Sequence, residues 1–430
     1  MTPRRLLVAG TLGSVLVAAG GWGSGALPPG WDGRGPGTPL VLIGVLLMCG
    51  SWWWLRAHAL QAALLWGAPL LLAPPLFSRD VYAYAGQAAL AVEGLDPYDV
   101  GPAALPGPLA AGVDDVWRDV PSPYGPLWLA LASVVVRVTG DSLLGAVAGM
   151  RLLAVLGLVL AGWGLHRLGG ERALWLGVAN PLVLLHLVAG AHNEALMLGL
   201  AVAGLAVTSL PLAAVLVTLG ALVKLPVLAV LGFLVMARPD WPSRVRAAAV
   251  TGAVAAATAV VVSVGTGLGW GWLTTLDAGR ARLSLFSMTT GLGTLLPGGD
   301  ATRDVVLALG ALLAVGVLAA LLWRTPALGP ARAAGLALLA VALLLPVVQP
   351  WYVLWGVLPL AAAAGPRLSA AVAAMCVVLC LLVWPSGRNV IRPPLYGLPT
   401  LLAVGAAVLV WRAESTSEGA APAGPRHPAR

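Results

Sequence analysis

Seven of the chain's 17 acidic residues fall between positions 80 and 119: Asp80, Glu93, Asp96, Asp99, Asp114, Asp115 and Asp119. A carboxylate in such a group could take a proton from an attacking hydroxyl. Cations could stabilise the charge that develops on a leaving group, and Arg79, Lys224, Arg280, Arg282, Arg388 and Arg392 are available for that. Lys224, in "LVKLP", is flanked by apolar residues on both sides. There an ammonium either snorkels to an interface or offers a compact charge to a phosphate oxygen. Asp80 has a plainer alternative as a first-turn acid complementing a helix dipole, although that leaves the neighbouring Arg79 unexplained. "GAHNE" (190–194) brings His192, Asn193 and Glu194 to a helix end, either as substrate contacts or as a capping boundary. "QPWYVLW" (349–355) adds Gln349 and Tyr352, able to hydrogen-bond a sugar or phosphate. Its tryptophans, like Trp270 and Trp272, also suit an interfacial aromatic belt.

Other chemistries find no residues to carry them. One His and one Glu do not make a metal site, and no Cys/His pattern has ligand spacing. Neither a Gly-rich nucleotide loop nor a Ser-His-Asp arrangement is visible. Cys49, Cys376 and Cys380 lie in apolar runs and read as small core residues.

The elements that position these residues are set by composition. The chain is 59% hydrophobic and 10% charged, against about 25% charged in a soluble domain. Apolar runs of roughly 17–25 residues recur along it, each long enough to cross a bilayer. An all-α polytopic membrane protein with about 12–14 crossings is expected. The net charge of +8 is scattered between spans, with no patch of the kind nucleic acid requires. Arginines mark cytoplasmic loops, so Arg4 and Arg5 place the N-terminus inside, and the first apolar stretch reads as a transmembrane helix rather than a cleaved signal peptide. Loops 78–125 and 266–302 then become extracytoplasmic. "HRLGGER" (166–172) reads as cytoplasmic, between the spans 142–165 and 173–189. The run 126–138 is short enough to dip or lie obliquely, and 211–223 and 226–237 form a broken or re-entrant pair around Lys224. "VYAYAGQAALAV" reads as a mildly amphipathic interfacial helix, with Val81, Tyr84, Ala85, Ala88 and Val92 on one face. Residues 1–411 form one membrane domain and 412–430 a disordered tail.

This layout gathers the informative polar residues on one face, where no nucleotide sugar is at hand. An activated sugar would have to arrive there on a lipid phosphate. "SRDVYAYAGQ…GLDPY", "PSPYGPLW", "NPLVLLHLVAGAHNEALM", "LVKLP", "RLSLFSMTTGLG" and "QPWYVLW" resemble, in this order from about residue 77 to 355, the actinobacterial polyprenol-phosphomannose-dependent α-1,6-mannosyltransferases. That family belongs to the GT-C superfamily of integral membrane glycosyltransferases. The resemblance implies polyprenyl phosphomannose as donor, an α-1,6-mannan acceptor of a lipomannan-type glycan, and inversion at the transferred carbon. It also implies an active site on the outer side of the plasma membrane, with Asp80 as base. One departure is Glu194, where the family pattern has Asp. Arg79, Lys224, Arg280, Arg282, Arg392, Tyr352 and Gln349 are assigned to the donor. Asp96, Tyr124, His192, Asn193 and Glu194 are assigned to the acceptor or sugar. No metal or resident cofactor is expected, because Arg and Lys can neutralise a monophosphate. Two other classes fit the same inventory: a transferase of another lipid-linked sugar, such as arabinose or glucose, and a polyprenyl-lipid flippase, which would be expected to show internal repeats and midplane charges.

Overall fold

The computed structural model describes residues 2–27, 37–275, 284–388 and 395–419. Among these residues there is no strand. The chain runs through α1 (Pro3–Ser24), α2 (Gly37–Trp54), α3 (Ala59–Leu70) and α4 (Asp80–Val92), then the short α5 (Pro108–Ala111) and α6 (Asp115–Arg118). Next come α7 (Pro126–Thr139), α8 (Leu143–Leu176) and α9 (Pro181–Val183), the last continuing into a π-helical turn, Leu184–Ala189. Then follow α10 (Glu194–Ala206), α11 (Leu210–Ala221), α12 (Val230–Met236), α13 (Trp241–Gly265), α14 (Met288–Leu295) and α15 (Gly299–Trp323). The short α16 (Thr325–Leu328) leads to α17 (Pro330–Leu344), α18 (Leu354–Ala361), α19 (Pro366–Leu381) and α20 (Leu398–Gly419).

Six of these helices (α1, α2, α8, α13, α15 and α20) are long and apolar enough to cross a membrane, and eight shorter apolar helices accompany them. The protein is a multi-pass membrane protein. Apolar side chains cannot drive helix pairing in lipid, so close backbone approach does. Accordingly α8 packs on α10 where Gly157 meets Gly199: a Cβ on Gly199 would lie 2.1 Å from the Gly157 carbonyl oxygen. Helices α13 and α15 turn Val261, Val264, Leu312 and Val315 outward, as lipid-facing helices should. The centre is the opposite case. Every residue from 173 to 206 is buried, so "GAHNE", which leads into α10, is a helix end inside the molecule.

Several local expectations change. "HRLGGER" holds the break between two helical stretches of α8, at Gly170 (φ 60). Helix α4 is buried on all sides from Val81 to Leu90, because its own loop wraps the face that an interfacial helix would leave open. Ser122 Oγ donates to Gln87 Oε1 at 3.0 Å, and Gly86 faces Val113 and Pro102. The run 126–138 is helical as α7 and packs on α4. The Lys224 region is interrupted as expected, with α11 ending at Ala221 and a 3-10 turn at Leu225–Ala229 before α12. Helix α20 extends to Gly419, into the segment read as a tail.

Candidate active site

Asp80 is delivered by the start of α4, which is held from three directions. Ser78 Oγ accepts the Asp80 N–H at 3.1 Å. The Phe77 N–H donates to the Pro385 carbonyl at 2.8 Å. Arg79 Nη2 donates to the Leu27 carbonyl at 3.1 Å. Phe77 adopts φ 64, a left-handed conformation that costs a non-glycine residue roughly 1–3 kcal/mol. The turn into α4 therefore persists because its surroundings hold it.

His192 arrives from the buried segment, immediately after Ala191, which also has positive φ, at 54°. Lys224 arrives from the break after α11. That break is tied to the return of the acidic loop by Gly125 N–H to Val223 O at 3.2 Å and Leu127 N–H to Leu222 O at 3.1 Å. Gly125 is required there, since a Cβ would lie 2.1 Å from the Leu222 carbonyl oxygen.

These segments meet at one group of side chains. His192 Nδ1 lies 3.7 Å from Asp80 Oδ2, 3.4 Å from the Tyr84 hydroxyl and 3.9 Å from Glu194 Oε2. The imidazole stacks on Trp351 with ring centroids 3.9 Å apart. Glu194 is fully buried and forms an ion pair with Lys224 Nζ. Lys224 also donates to the Tyr352 hydroxyl at 3.5 Å. Its ammonium stands 4.5 Å over the Tyr352 ring, 5.6 Å over Trp355 and 5.7 Å over Tyr124, a cation–π enclosure. Trp117 Nε1 donates to Asp80 Oδ1 at 3.3 Å. The Asp80 side chain is 21% exposed, so a substrate can reach it.

Burial pushes the Asp80 carboxyl up to about 6, with the Glu194 carboxylate adding to the rise; Lys224 and the Trp117 and Ser78 hydrogen bonds act the other way. The result is a carboxylate that is ionised near neutral pH and more basic than an ordinary Asp. Asp80, His192, Glu194 and Lys224 thus form a chain of neighbouring contacts in a mostly dry setting, an arrangement able to remove a proton at one end and receive negative charge at the other.

Residues 7–240 match the family described as "Alpha-(1->6)-mannopyranosyltransferase, N-terminal domain", and residues 282–413 match that described as "MptB C-terminal domain". The chain belongs to the alpha-(1->6)-mannopyranosyltransferase family. It is 35% identical over 446 residues to a probable alpha-(1->6)-mannopyranosyltransferase of Mycolicibacterium smegmatis, covering 84% of this chain and 79% of that protein. It is 32% identical to an alpha-(1->6)-mannopyranosyltransferase of Mycobacterium tuberculosis, covering 86% and 80%. It is 31% identical to alpha-(1->6)-mannopyranosyltransferase B of Corynebacterium glutamicum, covering 83% and 72%. No solved structure matches.

In this mannopyranosyltransferase family member the expected site residues are unequally placed. Asp80, Tyr124, His192, Glu194, Lys224 and Tyr352 converge. Asn193 is buried beside them, but its side-chain oxygen and nitrogen have no partner among the described residues, so it does not cap α10. Arg79 is directed to Asp114, at 3.3 Å, as well as to Leu27. Arg388 reaches the same Asp114 oxygen at 3.7 Å. Asp96 is exposed and accepts the Tyr98 N–H at 2.8 Å, closing a turn. The Gln349 side chain is half-buried without a hydrogen bond among the described residues. Arg280, Arg282 and Arg392 lie outside the described residues. No group of three or more His, Cys, Asp or Glu among the described residues is arranged to hold a metal. Sequence reasoning missed Trp117 and Tyr84 as members of the site. Trp117 carried one signal, an indole amid the acid cluster. Tyr84 carried none beyond its place on the α4 face.

Proposed function

We propose that this chain transfers mannose from a polyprenyl phosphate carrier to an α-1,6-mannan acceptor, with inversion, at the extracytoplasmic face of the plasma membrane. Asp80 takes the proton from the acceptor hydroxyl as its oxygen bonds to the anomeric carbon of the mannosyl phosphate. The bond from that carbon to the phosphate oxygen breaks, and the lipid phosphate leaves with the electron pair. An ammonium has three N–H groups. Glu194 and Tyr352 engage two on Lys224, which leaves the third for the departing phosphate. Inversion follows because the acceptor attacks from the side opposite the leaving group. The names of the relatives support mannose as the transferred sugar and an α-1,6 linkage.

The observation that carries the reading is the contact of Asp80, through His192, with the Glu194–Lys224 pair. Purified protein supplied with polyprenyl phosphomannose and a short α-1,6-mannoside should extend the acceptor. Asp80→Asn should lower turnover by about 10³-fold, within the range a general base contributes, while the protein stays folded. An Asn variant that keeps near-normal turnover removes Asp80 as base. The reading needs no divalent ion, because the Lys224 ammonium supplies positive charge beside Glu194 and Tyr352. EDTA is therefore expected to leave the rate within about twofold, a difference under 1 kcal/mol in barrier.

A further inference from the structure

Arg151 in α8 is 5% exposed and has no carboxylate within ion-pair distance among the described residues. Its guanidinium instead gathers three backbone carbonyls from two separate stretches of chain. Nη1 donates to Leu71 O at 3.0 Å, Nη2 to Ala189 O at 2.9 Å, and Nε to Val188 O at 3.3 Å. Leu71 is the residue just after the end of α3, and the chain from there runs directly to Asp80. Val188 and Ala189 close the π-helical turn, and the chain from there runs directly to His192. Each stretch then passes through a non-glycine residue at positive φ, Phe77 on one path and Ala191 on the other. The Phe77 and His186 rings meet at 5.6 Å between the same two stretches.

A buried charge without a counter-ion is costly and persists only where its hydrogen bonds are needed. A planar fork of donors can fix several carbonyls in one geometry, which an ammonium cannot. Asp80 and His192 come from segments that share no ladder or helix. Their 3.7 Å approach depends on how the two segment origins are spaced. We infer that Arg151 is a positioning residue for the reaction: its guanidinium fixes the start of the Asp80 segment against the start of the His192 segment and so sets the carboxylate–imidazole contact. The inference rests on the proposed reaction centre. Arg151 acts through these backbone carbonyls, from a position that is itself buried.

The test compares wild type, Arg151→Gln, Arg151→Lys and Asp80→Asn in the mannosyl-extension assay, with hydrogen–deuterium exchange on the same samples. Gln removes the uncompensated charge, so it is the variant expected to keep its fold, while Lys keeps the charge but loses the fork. Both should lower kcat at least tenfold. Exchange should rise together in peptides covering 73–81 and 184–194, with no change in α20. Full turnover in either folded variant overturns the positioning role. A fall in turnover with exchange rising equally in α20 assigns Arg151 to general stability and also overturns it, as does failure of both variants to fold. If Asp80→Asn keeps wild-type turnover, the reaction centre itself is wrong. If Asp80→Asn is inactive while Arg151→Gln is not, only the positioning inference fails.

Discussion

A carboxylate that acts as a base must be ionised when substrate arrives yet basic enough to take a proton. Asp80, raised to about 6 by burial and by Glu194, meets both conditions near neutrality. Plots of kcat/KM against pH should show an acid limb centred near that value, with activity rising as Asp80 ionises. Its neighbours set the limb with opposite signs. Glu194→Gln deletes a like charge and frees Lys224, so the limb should move to lower pH. Trp117→Phe deletes a hydrogen bond to the ionised form, so the limb should move to higher pH. Profiles in which the two variants shift the same way contradict the assigned electrostatics. The Glu194–Lys224 pair has a structural role as well. Breaking a buried pair from one side costs about 3–5 kcal/mol, so Glu194→Gln and Lys224→Met should each lower the thermal midpoint in detergent. The double variant should regain much of that loss and remain inactive. At this scale the sequence was informative where polar residues interrupted an apolar run, as His192, Asn193 and Glu194 do in "GAHNE" and Lys224 does in "LVKLP". It was uninformative for Tyr84 and Trp117, because an aromatic ring is an equally good packing residue until its hydrogen-bond partner is known.

Helix α4 shows what periodicity can and cannot reveal. Its apolar face was legible as a repeat along the helix. Its second covering was not, because the residues that supply it, Pro102, Val113 and Ser122, lie in an irregular loop with no period of its own. The segment after α13 adds to the same covering: Trp272 packs in a small apolar cluster with Tyr98, Leu129 and Leu222, and Thr275 Oγ1 donates to Ser122 O at 2.7 Å. The register between this covering and the Lys224 segment is set at Gly125. Gly125→Ala would place a methyl group 2.1 Å from the Leu222 carbonyl oxygen, so the two backbone hydrogen bonds there must break. Tyr124 and Lys224 would separate, and turnover should fall at least about tenfold, since small misplacements of catalytic groups cost rates of that order or more. A Gly125→Ala enzyme with unchanged turnover and yield would mean that this junction does not position Lys224. At "HRLGGER" charge and glycine together mark the break in α8 at Gly170, and Arg172 and Glu171 hold neighbouring segments there at the Ala364 carbonyl and the Ala59 N–H.

Across the whole molecule, the convergence of the site was legible only through topology. Tyr84 and His192 are 108 positions apart and Lys224 and Tyr352 are 128 apart, and no local pattern links them. What linked them was the count of spans and the placing of arginines inside, which assigned all four to one side. That assignment also carries the donor chemistry, and it can be tested without an activity assay. The three native cysteines are buried and should stay silent toward a membrane-impermeant maleimide. Glu93, in the acidic loop, and Asp240, at the start of α13, are both exposed. Glu93→Cys should label in intact cells and Asp240→Cys only after permeabilisation. The reverse result would turn the Asp80 pocket toward the cytoplasm, where nucleotide-linked sugars are present. The reason for invoking a lipid-borne donor would then be gone, although the arrangement of Asp80, His192, Glu194 and Lys224 would stand unchanged.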